Sequence, residues 1–209
     1  MKRIIAATKN KHKITEIETI TKQFDMEVIS RAEAGVPDVE IEETGATFEE
    51  NSLAKAMGIM KLCGEITIAD DSGLVVDCLD GAPGVYSARF AEFPGLWPEN
   101  LPEEENSSDR ANNEKLVQLI KDIPYEDRTA RFVSVITMIY PDGKTIVARG
   151  EVEGNLVLEA RGDNGFGYDP LFVPKGYDKT FGELGAEIKN GISHRANALK
   201  VLYQKLSEA

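Results

Sequence analysis

The sequence is poor in three features, and each shortage excludes a class of protein. Only two cysteines occur among its 209 residues, too few for a disulfide framework or a paired-cysteine metal site, so a reducing cytoplasm fits best. No stretch approaches the roughly 20 apolar residues that a membrane-spanning helix needs. Basic residues are outnumbered, since 24 Lys and Arg stand against 36 Asp and Glu, a formal net charge of −12. Because such a chain repels a nucleic-acid backbone, a nucleic-acid polymer is not an expected partner.

The apolar content, 42% of the residues, suffices for one sizeable core, and we expect residues 1–209 to form a single domain. β-Branched and apolar runs alternate with segments whose apolar residues recur at helical spacing. Thr47 and Glu50 form a capping box before one such segment, and Gly64 follows its end. The mixture predicts an α/β fold with a substantial antiparallel part. Predicted strands cover 2–7, 27–30, 66–69, 74–79, 131–140 and 145–158, and predicted helices follow residue 13 and cover 48–63, 109–122 (capped by Asp109) and 194–206 (capped by Ser193).

Two carboxylates stand side by side in "IADDSGLVVD", at Asp70 and Asp71. Adjacent carboxylates cost free energy unless a positive group shares their site or one of them points into water. Taken alone, the segment favours a polar turn between two strands, because Asp and Ser are common turn residues. Magnesium is bound by one or two protein carboxylates with water and phosphate oxygens, so this corner and Glu42-Glu43 could instead meet around one ion. Two solvated turns are the alternative.

Three further segments could carry chemistry. "TKNKHK" (8–13) lies between a strand and a helix, where backbone N–H groups and lysines can bind an anion, although the segment is not a Walker loop. "GDNGFGYDP" (162–170) combines three glycines with two aromatics, which could stack on a base or pack in the core. "KNGISHR" (189–195) places a histidine and an arginine at a helix start, where the helix dipole disfavours cations. A ligand that accepts hydrogen bonds would offset that cost, and a solvent-facing pair is the alternative.

Together these segments resemble one family along the whole chain and in the correct order: the inosine triphosphate pyrophosphatases, which hydrolyse nonstandard purine nucleoside triphosphates. "TKNKHK" is similar to the family's T-x-N-x-x-K, and "EETGATFEENSLAKA" to its E-E-T-G…T-F-x-E-N…K-A. "ADDSGLVVDCLDGAPGVYSAR" follows its A-D-D-S-G-L…G-A-P-G-x-x-S-A-R almost residue for residue. "GFGYDPLF" and "KNGISHRANAL" match its late motifs. One such motif is weak, whereas five in order are very specific.

The resemblance implies a long mixed, largely antiparallel sheet flanked by helices, in two lobes with a nucleotide in a central cleft, and it implies a homodimer. It also implies water attack on the α-phosphorus, which releases a monophosphate and pyrophosphate, with Mg²⁺ as cofactor. Asp71 would be the general base and, with Glu43, would serve the metal; the role of Asp70 stays open. The triphosphate would be held by Thr8, Lys9, Asn10, Lys11, His12, Lys13, Lys55 and Ser72, and the base by Phe166, Gly167, Tyr168, Asp169, Lys189, His194 and Arg195.

The chain departs from the family pattern at two places. Lys9 stands where a small residue is frequent, which changes the local charge near the expected phosphates. The acidic segment 92–109 is longer than usual, and its Trp97 has no family role to inherit. Two other readings remain: a Maf-like pyrophosphatase of different base preference, which the "SHR" motif disfavours, and a nucleotide-binding module without catalysis, which the acidic pair and three lysines disfavour.

Overall fold

The computed structural model describes residues 2–22, 26–92 and 107–208. Helices and strands alternate up to α3, after which β4, β5 and β6 follow one another before α4 and α5. The six strands of the described residues lie in one sheet in the order β2-β1-β3-β4-β5-β6. β1 pairs in parallel with β2 and β3, whereas β5 and β6 are antiparallel. The predicted α/β fold with a mixed sheet is confirmed. The strands are β1 (Lys2–Ala6), β2 (Met26–Ser30), β3 (Thr67–Val76), β4 (Thr129–Ile139), β5 (Thr145–Leu156) and β6 (Phe172–Pro174), and the helices are α1 (Lys11–Thr21), α2 (Phe48–Cys63), α3 (Asp109–Ile120), α4 (Ala186–Ile192) and α5 (His194–Ser207).

The chain forms two compact units. The first contains Met1–Ser72, Ser134–Glu151 and Ile192–Ala209, and the second contains Gly73–Val133 and Val152–Gly191. Strands β3, β4 and β5 contribute residues to both units. Across the described ranges, no helix combines the length and the apolar character required to cross a membrane.

The first unit has a core on each face of β1, because successive strand residues point to opposite faces. Ile4 and Ala6 pack in a cluster with residues of α1 and α5, whereas Ile5 and Ala7 pack in a cluster with residues of α2. β3 alternates in the same way: Ile68 belongs to the first cluster and Ala69 to the second. This alternation decides which helices the next two residues of β3 can reach.

The second unit contains an aromatic cluster. Phe132 of β4 meets Phe172 of β6 edge to face, with ring centroids 4.7 Å apart. Phe172 stacks on Phe181 at 5.4 Å. Such pairs add to the free energy gained by burying the rings themselves. The cluster lies beside the segment 162–170, because the carbonyl O of Phe172 accepts a hydrogen bond from N of Phe181 and the carbonyl O of Asp169 accepts one from N of Gly182.

Several local predictions are confirmed. α2 begins with the Thr47–Glu50 capping box and ends at Gly64, whose φ of 67° favours glycine. The Ser193 hydroxyl caps α5 by accepting from N of Ala196. The predicted cap of α3 was one residue off, because the Ser108 hydroxyl, and not Asp109, accepts from N of Ala111. β6 and α4 were not predicted; both are short, with three and seven residues.

The predicted turn at "DDSG" is wrong. β3 runs without interruption through Asp70 and Asp71 over ten residues, of which eight are buried and two, Ser72 and Val75, are partly buried. The turn prediction treated the charges as solvated, whereas both aspartates are buried and paired with cations, as described below. The prediction concerning Trp97 and most of the acidic segment lies outside the described residues.

Candidate active site

Asp70 and Asp71 lie on opposite faces of β3, because they are successive residues of one strand. Asp70 shares the face of Ile68 with α1 and α5, and Asp71 shares the face of Ala69 with α2. Each aspartate therefore meets a different set of side chains. Because the two carboxylates point to opposite faces of the strand, the repulsion between them is weaker than for two carboxylates on the same face.

Asp70 is 1% exposed and is surrounded by donors. Its Oδ2 atom lies 3.0 Å from Nζ of Lys13 and 3.1 Å from Nη2 of Arg195, and it accepts from the Ser72 hydroxyl at 3.1 Å. Its Oδ1 atom accepts from the Ser134 hydroxyl at 2.6 Å. Burial works to raise the pKa of Asp70, but Arg195 and Lys13 outweigh it and hold the pKa well below its usual range. Asp70 is thus a buried anion whose oxygens are already occupied.

Arg195 is the positively charged partner of Asp70 in this network, and its side chain is fully buried. One end of its guanidinium contacts the Glu16 carboxylate of α1, and the other donates to Asp70 and, at 3.2 Å, to Oγ of Ser72. Burial works to lower the pKa of Arg195, yet the Asp70 and Glu16 carboxylates raise it overall. The planar fork of an arginine can hold two separate carboxylates in this way, which a lysine ammonium cannot do as well.

On the other face, Asp71 and Glu43 share the ammonium group of Lys55. Nζ of Lys55 lies 2.8 Å from Oδ1 of Asp71 and 3.1 Å from Oε2 of Glu43. Burial raises the pKa of Asp71 and outweighs the opposing effect of Lys55. Burial also works to lower the pKa of Lys55, but the two carboxylates raise it overall. The second oxygen of Asp71, Oδ2, is buried and has no hydrogen-bond partner among the described residues.

The unpartnered oxygen of Asp71 makes this pair of carboxylates suitable for a divalent cation. A buried carboxylate oxygen without a donor is costly unless something positive faces it. Within the described ranges, no group of three or more His, Cys, Asp or Glu side chains is placed to hold a metal ion. Magnesium needs only one or two protein carboxylates, because water and phosphate oxygens complete its octahedron. Asp71 and Glu43 therefore fit Mg²⁺, whereas the occupied oxygens of Asp70 do not.

The segment 8–13 leads into α1, and the N-terminus of α1 is capped by a residue of this segment, Asn10. The Asn10 side chain accepts from the backbone N of His12 and of Lys13, and the Thr8 hydroxyl accepts from N of Asn10. Two of the N–H groups that could have bound an anion are thus occupied in this structure. Lys11 and His12 are exposed, and Lys9 pairs with Asp38 on the surface. Of the two lysines on α1 in this segment, Lys13 is the one that reaches the aspartate network, through Asp70.

In the second unit, the loop 165–169 is folded around the Asp169 carboxylate. Oδ2 of Asp169 accepts from N of Phe166 at 2.8 Å and from Nζ of Lys189 at 2.7 Å. The Lys189 ammonium also lies 5.1 Å from the centre of the Phe166 ring. The Tyr168 hydroxyl donates to the carbonyl O of Ser87 at 2.8 Å. Asp169, Lys189 and Tyr168 are each buried, whereas the Phe166 ring is half-buried.

The structure thus brings part of the expected set together within the first unit: Lys13, Lys55, Glu43, Asp71, Ser72 and Arg195 surround the two faces of β3. His194 is buried at the first residue of α5. Within the second unit, hydrogen bonds connect Asp169 to Phe166 and to Lys189. Base contact by any of these residues stays a prediction.

Sequence reasoning missed two members of the Asp70 network. Ser134 is a polar residue inside the apolar run "RFVSVITMIY", and a polar side chain at an otherwise buried strand position is a signal of a buried partner. Glu16 stands three residues after Lys13 on α1 and therefore shares its helix face. The sequence holds both signals, but only the fold shows that they point at Arg195 and Asp70.

Comparison with known proteins assigns the family. Residues 4–205 match the model of the Ham1 family, and the chain belongs to that family. A dITP/XTP pyrophosphatase of Clostridium perfringens is 46% identical, covering 99% of this chain and 98% of the relative. One of Oceanobacillus iheyensis is 45% identical, covering 97% and 96%. Among solved structures, the Staphylococcus aureus Ham1 protein is 42% identical with a TM-score of 0.82, covering 99% of each chain. A HAM1 protein from Coxiella burnetii is 36% identical with a TM-score of 0.83, covering 100% of each chain.

Proposed function

We propose that this protein hydrolyses nonstandard purine nucleoside triphosphates, namely ITP, dITP and XTP, to the monophosphate and pyrophosphate, and so cleanses the nucleotide pool. The observation that carries the proposal is the buried Asp71 carboxylate, which shares Lys55 with Glu43 and has one oxygen to which no described residue donates. Full-length relatives named dITP/XTP pyrophosphatase support the choice of substrate. The α-phosphorus as the point of attack rests on the resemblance.

Asp71 would act as general base and remove the proton from the attacking water. Oδ2 of Asp71 is not engaged by the described part of the chain. Because a carboxylate oxygen has lone pairs for more than one partner, Oδ2 could face both the attacking water and the cation proposed below. Lys55 would orient Asp71 through Oδ1 and would offset negative charge that develops on the phosphates. Phosphoryl transfer asks a protein mainly for such positioning and charge neutralisation.

Lys13 would bind the phosphates from the other face of β3, where Asp70 holds it. The Ser72 hydroxyl donates to Asp70 in this structure and would turn its proton to a phosphate when the substrate binds. In this arrangement Asp70 does not touch the substrate. It is a fixed anion that orients a lysine and a hydroxyl, while Arg195 and Ser134 keep it in place. The other residues of segment 8–13 would contribute to binding the triphosphate, through the conformation of the turn before α1 and through their side chains.

We also propose Mg²⁺ as the cofactor, held by Asp71 and Glu43. When bound, the ion would polarise phosphate oxygens and lower the pKa of a bound water. The proposal is tested by titrating Mg²⁺ into metal-free enzyme and measuring hydrolysis of ITP together with Tm. We expect chelation to abolish turnover and leave Tm within about 2 °C, because Lys55 already balances both carboxylates; a large fall in Tm would instead assign a structural ion.

Base selection would rest on the 6-oxygen of inosine and xanthosine, where adenine carries an amino group. A donor that pairs with the oxygen is left unpaired against the amine, which costs about 1–3 kcal/mol for a buried group. Arg195, His194 and Lys189 are the buried donors of the expected base set, and the Phe166 ring would stack on the base. Adenosine triphosphate should therefore be a poor substrate.

The assembly is proposed from the resemblance, and the location from the state of the cysteines. The resemblance supports a homodimer, and the two cysteines, Cys63 and Cys78, are free thiols, as is usual for a protein of the reducing cytoplasm. Size-exclusion chromatography with light scattering measures the assembly. A mass of one chain, 23.0 kDa, would contradict the dimer.

The activity is tested with a panel of nucleoside triphosphates and a coupled assay for pyrophosphate. We expect ITP, dITP and XTP to be hydrolysed and ATP and GTP to be poor substrates, with pyrophosphate identified by phosphorus NMR. Because guanine also has a 6-oxygen, GTP would be rejected at its 2-amino group. Orthophosphate and a nucleoside diphosphate would contradict attack at the α-phosphorus. A preference for modified pyrimidines would support the Maf-like alternative, and tight binding without turnover of any nucleotide would support a binding module.

A further inference from the structure

Two side chains of helix α3 form hydrogen bonds with the N–H and the C=O of one residue in the loop 165–169, Gly167. Oδ2 of Asp109 accepts from N of Gly167 at 2.7 Å, and Nδ2 of Asn113 donates to O of Gly167 at 3.0 Å. Asp109 and Asn113 are four residues apart, so they lie on the same face of α3. An acceptor and a donor at this spacing match the N–H and C=O of Gly167.

Gly167 can be held only by its backbone. Its φ of 63° lies in the left-handed region that favours glycine, and it offers no side chain to pack. Its N–H belongs to the peptide unit shared with Phe166, and its C=O belongs to the peptide unit shared with Tyr168. The two hydrogen bonds from α3 therefore restrain the peptide planes on both sides of Gly167 and, through the first of these planes, the backbone that carries the Phe166 ring.

The side of the loop that faces α3 borders a cavity. A cavity of about 650 Å³ is lined by α3, by residues 158–166 and by the loop itself. Asp109, Asn113, Phe166 and Gly167 all lie on its wall. On that side, the hydrogen bonds from Asp109 and Asn113 connect the loop to the helix. Elsewhere the loop is anchored firmly, because Asp169 pairs with Lys189 and the Tyr168 hydroxyl reaches Ser87.

We infer that Asp109 and Asn113 are positioning residues for purine binding, which act through Gly167 to hold Phe166 in the orientation that stacks on the base. The inference rests on the proposed function, because it takes the loop 166–169 as part of the base site. Neither residue is required to touch the nucleotide. Their contribution belongs to substrate binding and not to the chemistry at Asp71, so it affects KM more than kcat.

The kinetic test compares Asp109→Ala, Asn113→Ala and the double variant on ITP. One hydrogen bond contributes a factor of about three to ten in affinity. We expect KM to rise by that factor in each single variant and by more in the double variant, while kcat changes less than about twofold. Asp109→Asn keeps an acceptor oxygen for N of Gly167 and should restore most of the KM. Glu114→Ala is the matched control, because it removes from the same helix a carboxylate that pairs with the exposed Arg110.

A second measurement does not depend on activity. Hydrogen–deuterium exchange of peptides covering 162–171 should be faster in Asp109→Ala and Asn113→Ala than in the native chain or in Glu114→Ala, with Tm little changed, because Asp109 is exposed. Faster exchange together with a raised KM supports the inference. Unchanged exchange, an unchanged KM, or a loss confined to kcat overturns it. If the native chain hydrolyses no nucleoside triphosphate, the proposed function fails, and the positioning role in substrate binding fails with it even where exchange is faster.

Discussion

Arg195 donates to Asp70, and both side chains are closed to solvent, at 0% and 1% exposure. Taking two charges out of water is costly, so a buried pair of this kind is stable only while every member keeps its partners. Asp70 also pairs with Lys13 and accepts a hydrogen bond from the Ser134 hydroxyl, and Arg195 also pairs with Glu16. The two neighbouring aspartates of β3 consequently have different roles. Asp70 organises the first unit, and Asp71 is available for chemistry.

Replacing each aspartate by asparagine should separate these roles. Asp71→Asn should lose about 10³-fold or more of its turnover, because it removes the base and a metal ligand together, while Tm stays near that of the native chain because Lys55 keeps Glu43. Asp70→Asn leaves Lys13 and Arg195 without their shared anion. We expect it to cost about 3 kcal/mol or more, a fall of roughly 6–12 °C in Tm for a chain of this size.

Calorimetry and initial rates on the same two preparations check this pair of predictions. The asymmetry is the informative result. Equal losses of turnover at equal Tm would contradict it and would place Asp70 in the reaction alongside Asp71. Near-native turnover in Asp71→Asn would remove Asp71 from the mechanism.

Arg195→Ala tests whether this buried arginine reads the base. If its guanidinium pairs with the 6-oxygen of the purine, the ratio of kcat/KM for ITP to that for ATP should fall about tenfold or more, which corresponds to one hydrogen bond to a charged donor. Its contacts with Asp70 and Glu16 predict a lower Tm as well. Assays are therefore run well below the Tm of the variant, with Lys13→Ala as the comparison.

Lys13→Ala should weaken all triphosphates alike, because Lys13 would meet only phosphate. If Arg195→Ala also lowers ITP and ATP hydrolysis by one common factor, its role is to hold Asp70 and, through it, Lys13. Base reading would then fall to His194, Lys189 or the loop 166–169.

Gly150 of β5 lies against the first turn of α5. A Cβ atom at this position would overlap the carbonyl O of His194 and the backbone N of Ala198. Backbone atoms cannot rotate away as a side chain can, so Gly150→Ala should shift α5 and cost about 1–3 kcal/mol, as overpacking does. We expect a fall of roughly 2–12 °C in Tm. Gly185→Ala, where a Cβ would meet nothing, should leave Tm unchanged, and equal effects of the two variants would refute this account.

Tyr168 should make stability sensitive to alkaline pH. Burial, with the Asp109 carboxylate, raises the pKa of its hydroxyl, whereas an unfolded tyrosine titrates near about pH 10. The folded state therefore keeps the proton more tightly, and the resulting stability is full below that pH and is lost as pH rises toward the folded pKa. Tyr168→Phe removes this loss, but it also removes the hydrogen bond to Ser87.

Thermal unfolding between about pH 7 and 11 measures both effects. We expect Tyr168→Phe to lower Tm at neutral pH by roughly 2–4 °C, the equivalent of about 1 kcal/mol, and to show a smaller decline at alkaline pH. The exposed Tyr177 supplies the control variant Tyr177→Phe, which should follow the native chain. A parallel decline in all three proteins would mean that another group controls alkaline stability.

The sequence was most informative where a signal is local. The Thr47–Glu50 capping box, Gly64 and the Ser193 cap each report on their own helix end, and the structure has all three. The segment around Asp70 was misread because its partners come from far along the chain: Arg195 is 125 residues away and Ser134 is 64 away. Turn propensity describes an aspartate in water, and it does not apply to one that is buried among cations.

The sequence likewise predicted which residues belong to the candidate site, but not how they pair. The order of five motifs named the residues, but it could not say which aspartate faces which lysine. That assignment depends on β3 passing between α1 and α5 on one side and α2 on the other. The hydrogen bonds from Asp109 and Asn113 to Gly167 were also invisible in the sequence, because a backbone group leaves no trace in residue type.

The continuous pairing of β3 has a consequence for how this chain tolerates change. β3 is aligned with β1 so that Thr67 lies opposite Ile5 and Ile68 opposite Ala6. Side chains repeat every two residues in a strand, so a slip by one position would turn every side chain of β3 to the other face. Asp70 and Asp71 are the same amino acid, so such a slip would put one aspartate in the place of the other and turn the second to the opposite face, without altering composition or net charge. Inserting or deleting one residue in the short stretch before Asp70 should consequently be more harmful than most substitutions there, because strand alignment is what gives each carboxylate its task.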